Sequence, residues 1–378
     1  MFTLALAVVT AVYVLFALWC AWQTVRATRP LELVPDDALP TAAVLVAARD
    51  EERVLARCLD ALVGQDYPAD RLTLLVADDH STDATAAVVH GYAPDVRYVS
   101  VADADAPGLA GLRGKARALH AAIAATDAEL LLMTDADCAP PPGWARGLAS
   151  LLCEPGVGLA AGLTRVERPA AGWPRAFAGG QDLDSAYLLG YSSALTEAIQ
   201  PATAMGNNMA LRREAYEAVG GYPGLPFSVT EDYALFRAVA EAGPWRVRFP
   251  LAPETAVVTL PAPDVGAFYR QRRRWARGGA QAGVALYAVY TLAHLAHLLP
   301  LVALALAPGA GLVSIAAKCL ADAVVFRSVL PRTRPSGAPS GFSLSAFGVF
   351  EALAFLYMAT LPVALAMSPR IRWKGRLH

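Results

Sequence analysis

Charge is scarce in this chain of 378 residues: Asp, Glu, Lys and Arg together make up 17% of it, where a soluble domain carries about 25%. What charge there is nearly cancels, with 32 basic against 33 acidic residues. That excludes a nucleic-acid partner drawn by bulk positive charge. Cysteine is thin as well. Cys20, Cys58, Cys138, Cys153 and Cys319 are scattered without metal-ligand spacing, which argues against a disulfide framework and suits a reducing cytoplasm. Missing altogether are G-x-G-x-x-G and G-x-x-x-x-G-K-[ST], the glycine loops that cradle phosphate with backbone amides. Any phosphate chemistry here must use another means of handling negative charge.

Apolar residues are abundant, at 56%, and they collect at the two ends. Phe2 to Trp22 contains no charge, enough to span a hydrocarbon core of ~30 Å at ~1.5 Å per residue. A cleaved signal peptide would place basic residues before a core of roughly 7–15 apolar ones. This run is longer and has none before it, so an uncleaved anchor over residues 1–24 is expected. Arg26 and Arg29 follow it, and the positive-inside rule then puts the downstream chain in the cytoplasm. Three further candidate spans are Gly283 to Ala307, Gly309 to Leu330 and Leu344 to Met367, within a C-terminal membrane region of residues 283–367. Lys318 and Asp322, four apart, can neutralise each other inside the second of these. His294 and His297 are expected to make interhelical hydrogen bonds. The expectation is a multi-pass protein of the cell (inner) membrane with a cytoplasmic centre. The charge count does not close: three crossings after that centre put the C-terminus outside, yet the tail at 368–378, starting at Ser368 and running through RIRWKGRLH, is basic.

Between the ends, residues 40–262 change character. AAVLVA (42–47), LTLLVA (72–77), VRYVSV (96–101) and ELLLMT (129–134) are strand-length apolar runs. DEERVLARCLDALVG (50–64), TDATAAVVHGY (82–92) and GKARALHAAIAAT (114–126) between them carry helical patterns. Alternation of this kind predicts an α/β domain with a mainly parallel sheet, whose strands are apolar because both faces are covered. Ligands in such folds sit beyond the carboxyl ends of the strands. There the sequence places Arg49, Asp50 and Glu51 after the first run, Asp78 and Asp79 after the second, and Asp135-Ala136-Asp137 after the fourth.

Residues i and i+2 of an extended segment point the same way. Asp135 and Asp137 can therefore face one hard cation, Mg²⁺ or Mn²⁺, able to neutralise a leaving diphosphate. Asp50 and Ser81 or Thr82 are also good helix N-caps, with Asp50 capping the helix that holds Arg53 and Leu55. A further helix is expected to start at Thr230, with Glu231 and Asp232 in its first turn, where the helix dipole favours acids. Asp232 is placed to take a proton from an attacking hydroxyl. Last comes FYRQRRRWARGG (268–279), in an interfacial helix at 263–282. Its Arg272, Arg273 and Arg277 read as a membrane collar.

AVLVAARDEE, LLVADDHSTDAT, GKARAL, LLLMTDADC, GNNMALRREA, TEDYALF and QRRRW occur in one order over about residues 40–280. That series resembles the membrane-bound family-2 glycosyltransferases, and looks closest to their ceramide glucosyltransferase-like branch. The resemblance implies a GT-A fold, a Rossmann-like nucleotide-sugar-binding α/β domain, and inverting transfer of a hexose from a nucleotide-sugar, a UDP-hexose, to a membrane lipid. A processive polysaccharide synthase of the cellulose or hyaluronan type is the rival reading. By position, Ala48, Arg49, Glu51, Asp78, Asp79 and Asp135 would hold the nucleotide-sugar and Lys115 its diphosphate region. Asp135 and Asp137 would hold the metal, and Asp232 would be the catalytic base. Glu231, Gln271, Arg274 and Trp275 would meet the acceptor and the diphosphate. The first motif departs from the family in having Ala47-Ala48 where Pro is usual and Asp50 where Asn is. Acceptor choice is expected from loops such as residues 180–208. Substituting Arg274 or Trp275 is expected to abolish transfer, and substituting Arg272 to leave it intact.

Overall fold

The computed structural model describes residues 1–27, 30–199, 201–203, 205–278, 283–334, 341–367, 372–373 and 376–377. Arg29, the end of the FYRQRRRWARGG stretch and most of the basic tail lie outside them, and so does their part in the charge count.

The strands are β1 (Ala42–Ala48), β2 (Leu72–Asp78), β3 (Val96–Ser100), β4 (Leu130–Asp135), β5 (Cys138–Ala139), β6 (Val157–Ala161), β7 (Thr164–Val166), β8 (Asn208–Arg212), β9 (Arg246–Arg248) and β10 (Val257–Thr259). The helices that matter here are α1 (Phe2–Ala27), α2 (Leu55–Val63), α3 (Thr85–His90), α4 (Gly114–Ala124), α5 (Trp144–Cys153), α6 (Gly172–Ala198), α7 (Arg213–Ala218), α8 (Glu231–Glu241), α9 (Val265–Gly278), α10 (Val284–Leu306), α11 (Pro308–Val329) and α12 (Leu344–Met367).

The main sheet runs β3-β2-β1-β4-β8-β6-β9. β1 pairs in parallel with both β2 and β4, and β8 runs antiparallel to β4 and β6. A smaller sheet, β5-β10-β7, lies beside it. The apolar runs form strands because each face meets a different partner. Ala43 and Leu45 turn toward Ala118, Leu119 and Ala122 of α4. Val44 and Val46 turn toward Leu55, Cys58, Leu59 and Leu62 of α2 and Trp144 and Leu148 of α5. The α2 set recurs at i, i+3, i+4 and i+7, the stripe a covering helix needs. Each buried Leu of this kind contributes about 1.5–3 kcal/mol.

Register brings the strand ends level. Asp78 lies opposite Ala48, and Asp135 opposite Ala47. The carboxylates that follow three different strands therefore emerge along one edge.

Among the described residues, α1, α10, α11 (with the turn after it) and α12 are long and apolar enough to cross a membrane. α1, α11 and α12 pack on α6, and α10 packs on α1, α11 and α12. Residues 180–208, expected as an acceptor loop, are mostly this helix, and Gln181, Asp182, Asp184 and Ser185 in it are buried. Asp182 is held by Arg165 (2.6 Å) and Arg168 (2.6 Å). Lys318 Nζ meets Asp322 at 2.8 Å as expected, and it also pairs with Glu351 of α12. The Tyr13 hydroxyl donates to Asp322 at 2.6 Å, tying α1 to α11. His294 Nδ1 reaches the Met358 carbonyl of α12 at 2.6 Å, whereas His297 Nδ1 bonds within its own helix, to Ala293.

Asn208 joins three segments at the sheet's centre. Its Oδ1 accepts from Trp144 Nε1 (2.9 Å), and its Nδ2 donates to the carbonyls of Leu163 and Thr255. Asn208→Ala leaves Trp144 Nε1 and the Thr255 carbonyl without these bonds, at a cost of about 2–3 kcal/mol. Thermal unfolding in detergent should show a melting temperature lower by roughly 5–10 °C.

Candidate functional site

The loops after β1 and β2 clasp each other. Asp50 N–H donates to Ser81 Oγ (3.0 Å), and Asp50 Oδ1 accepts from Thr82 N–H (2.8 Å). Glu51 N–H donates to Thr85 Oγ1, and Glu52 exchanges bonds with Asp83 and Ala84. Asp50 and His80 take positive φ of 55° and 65°, a region that Asp and His enter more readily than most residues. Asp50 therefore caps the neighbouring loop rather than its own helix, and neither Ser81 nor Thr82 caps α3, which starts only at Thr85. The clasp leaves Arg49, Glu51 and Asp79 turned to a polar cavity of about 230 Å³.

Asp78 does not line that cavity. Buried, it accepts from Ser81 N–H (2.8 Å) and the Tyr98 hydroxyl (2.9 Å). It shapes the loop from beneath. Asp79 is buried too, but faces the cavity, where Arg117 and His80 hold it.

Ala48, Lys115, Asp135, Asp137, Glu231 and Arg274 complete the wall with Arg113, which the motifs did not single out. Lys115 Nζ lies 2.5 Å from Asp135 Oδ1, 3.8 Å from Glu231 and 3.3 Å from the Gly206 carbonyl. Burial works to lower its pKa, but the charges of Asp135, Glu231 and Asp232 outweigh that and hold it above the ordinary lysine value. Burial first, then Asp232 beside it, pushes the Glu231 carboxyl up to about 7 against the pull of Lys115. Burial and the neighbouring Asp135 likewise raise Asp137.

Among the described residues no cluster of three or more His, Cys, Asp or Glu side chains surrounds a common point. The donor set is thus two carboxylates, Asp135 and Asp137, both in the cavity wall. Such a pair fits a divalent cation that takes its remaining ligands from phosphate oxygens and water, the habit of Mg²⁺.

α8 starts at Glu231, one residue later than expected, and Thr230 makes no side-chain cap. Asp232 Oδ2 accepts from Gly206 N–H (2.7 Å) and Oδ1 from Tyr233 N–H (2.8 Å). A Cβ on Gly206 would lie 2.6 Å from Asp232 Cβ, so only glycine lets the loop approach this close. Gly206 was visible only as part of GNN. Asn207 and Asn208 serve the sheet, Asn207 through Thr164 and Thr134.

A second cavity, of about 510 Å³, lies among α1, α6, α9, α10 and α12. Tyr13, Phe16, Leu188, Leu286 and Leu361 are in its wall, which is mainly apolar, and it reaches Asp232 and Trp275. Consecutive residues thus serve different cavities. Glu231 and Arg274 line the polar one, and Asp232 and Trp275 the apolar one. Gln271 lines neither. Its Oε1 accepts from Arg272 Nη1 at 2.7 Å. Arg272, expected in the membrane collar, is instead buried and paired with Asp184 of α6. An ion pair this enclosed costs several kcal/mol to break, so the reading of Arg272 as part of a membrane collar is corrected.

The sequence profile described as "Glycosyltransferase like family 2" matches residues 40–278. The beta-monoglucosyldiacylglycerol synthase of Synechocystis sp. is 27% identical over 72% of this chain and 58% of its own length. The probable glycosyltransferase YdaM of Bacillus subtilis is 29% identical over 64% of this chain and 55% of its own. The chain therefore spans somewhat over half the length of these curated relatives. Among solved structures, mannosyltransferase PcManGT from Pyrobaculum calidifontis, in complex with GDP-Man and Mn2+, superposes with a TM-score of 0.62. It covers 98% of this chain and 99% of its own at 22% identity, a likeness of GT-A fold.

The Glu231 shift has a sign that can be tested. Its folded pKa of about 7 stands above the ordinary 4.5, so its contribution to stability is complete below pH 4.5 and is lost as pH rises through about 7. Between about pH 5 and about pH 8 the melting temperature of the wild type should fall relative to that of Glu231→Gln. Parallel curves would show that Glu231 is ordinary.

Proposed function

Since this chain belongs to glycosyltransferase family 2, we propose that it moves a hexose from a nucleotide-sugar to the hydroxyl of a membrane lipid, with inversion. One observation carries this reading: an apolar cavity between membrane helices ends at the Asp232 carboxylate, and the next residue back, Glu231, faces the polar cavity. A lipid held in the first cavity meets a donor held in the second across a single helix end. The name of the Synechocystis relative, a monoglucosyldiacylglycerol synthase, supports such an acceptor. The resemblance of the motifs favours a UDP-hexose as donor.

Lys115, Arg113 and Arg274 are among the cations that line the polar cavity, and a guanidinium suits a diphosphate through paired hydrogen bonds. Arg49, Glu51 and Asp79 face the nucleoside end. Asp135 and Asp137 would hold Mg²⁺ or Mn²⁺. When bound, that ion would supply positive charge to the leaving diphosphate. On the other side, Asp232 takes the proton of the lipid hydroxyl as its oxygen bonds to the anomeric carbon and the bond to the diphosphate breaks. Its two backbone hydrogen bonds fix the carboxylate's direction, and the N-terminus of α8 favours its charge.

A neutral alcohol is the acceptor this charge layout suits. A lipid phosphate needs no base, and it would meet the anionic Asp232 in a cavity whose guanidinium, Arg272, is already committed to Asp184. Arg26, in the last turn of α1, supports a cytoplasmic side for the sheet domain.

Leu188→Trp should fill the apolar cavity and raise the KM for diacylglycerol at least about tenfold, while the KM for the nucleotide-sugar stays within about twofold. Asp232→Asn should lower kcat by about 10²–10⁴ with nucleotide binding retained. Chelation by EDTA should stop transfer, and added Mn²⁺ or Mg²⁺ should restore it. Unchanged diacylglycerol kinetics in Leu188→Trp would remove the lipid cavity from the reaction.

A further inference from the structure

Phe268, Arg272 and Trp275 recur at i, i+4 and i+7 along α9 and form one stripe. On that stripe the Arg272 guanidinium lies between two rings, 4.2 Å from the centre of Phe268 and 4.1 Å from that of Trp275. Each of its three nitrogens has a partner. Nε donates to Asp184 Oδ2 at 2.7 Å, Nη2 pairs with the same oxygen, and Nη1 donates to Gln271 Oε1 at 2.7 Å. The other carboxylate oxygen of Asp184 accepts from the Tyr357 hydroxyl of α12 at 2.7 Å. Asp184 is wholly buried, and Arg272 is 5% exposed.

We infer that Asp184 and Arg272 are positioning residues for the acceptor side of the site: α6 and α12 fix the carboxylate, the carboxylate fixes the guanidinium plane, and that plane sets the Trp275 ring at the mouth of the apolar cavity. This rests on the reading of that cavity as the lipid site. Three features point to positioning rather than simple glue. A planar cation stacked on an indole fixes the ring's tilt, which a lysine could not do. Both Arg272 and Trp275 line the apolar cavity, in which Asp232 ends. Gln271, which touches neither cavity, finds its use in orienting Arg272, so its spacing to Trp275 acquires a physical reason. Asp184 comes from a helix that no motif covers. It couples the packing of the membrane helices to the geometry at the reacting end.

The test uses full-length protein in phosphatidylcholine vesicles, as wild type, Arg272→Lys, Asp184→Asn and Tyr357→Phe. Tyr357→Phe removes only one hydroxyl, so it folds even if the charge variants do not. The fluorescence of Trp275 is taken as the difference between each protein and its Trp275→Phe counterpart. Quenching of that signal by acrylamide should rise at least about twofold in Arg272→Lys and Asp184→Asn, and measurably in Tyr357→Phe, with no ligand present. With UDP-glucose and diacylglycerol, the acceptor KM should rise about tenfold in the charge variants, while UDP binding by calorimetry stays within about twofold. Unchanged Trp275 quenching would overturn the proposal. So would donor and acceptor parameters that decline together, the mark of a merely structural pair. If the wild type forms no glycolipid, the lipid reading fails, and the ligand-free quenching still decides the role of Arg272.

Discussion

Five carboxylates, those of Glu51, Asp79, Asp135, Asp137 and Glu231, share one small cavity, and their mutual repulsion is the constraint around which the rest of the domain is arranged. The parallel register of β1, β2 and β4 makes the crowding unavoidable, since it ends three strands level. Lys115 relieves it by joining Asp135, Glu231 and the Gly206 carbonyl. One ammonium thereby links α4, β4, α8 and the loop that holds Asp232. Arg117 and Arg49 do the same for Asp79. Asp137 keeps a carboxyl raised by burial and by Asp135, which a divalent cation bound there would offset.

The helix bundle obeys a second version of the same rule. Buried charges in it meet partners: Asp182 meets Arg165 and Arg168, Asp184 meets Arg272, and Lys318 meets Asp322 and Glu351. Burying such pairs gains little net stability, but breaking one is expensive. They therefore specify how α6, α9, α11 and α12 sit against one another more than they strengthen the contact. The outcome that matters for chemistry is the position of α9. Its Arg274 lies in the polar cavity and its Trp275 in the apolar one.

Much of this was legible in the residues. The strands β1 to β4 follow from short apolar runs, the four spans from length and lack of charge, and the acidic edge from what comes after each strand. Other parts were hidden for physical reasons. Asp50, Ser81 and Thr82 look like helix caps because the same oxygen chemistry serves a cap and a clasp between loops, and only the fold decides which amide is near. Arg272 looked like a collar because a guanidinium beside a tryptophan reads alike at a membrane surface and in a buried stack. Its partner Asp184 is 88 residues away, beyond any local pattern. α6 reads as a loop in the sequence because its polar residues, Gln181, Asp182 and Asp184, are buried in the protein rather than turned to water, which inverts the usual sign of amphipathicity.

The central claim is that a sugar crosses from the polar cavity to a lipid in the apolar one. It is tested most directly by supplying purified protein in vesicles containing diacylglycerol with a nucleotide-sugar labelled in the hexose, and then separating organic and aqueous phases. If the two cavities meet at Asp232 as described, the label enters the organic phase as a lipid bearing one hexose. Label recovered as a water-soluble polymer of high molecular weight would contradict it.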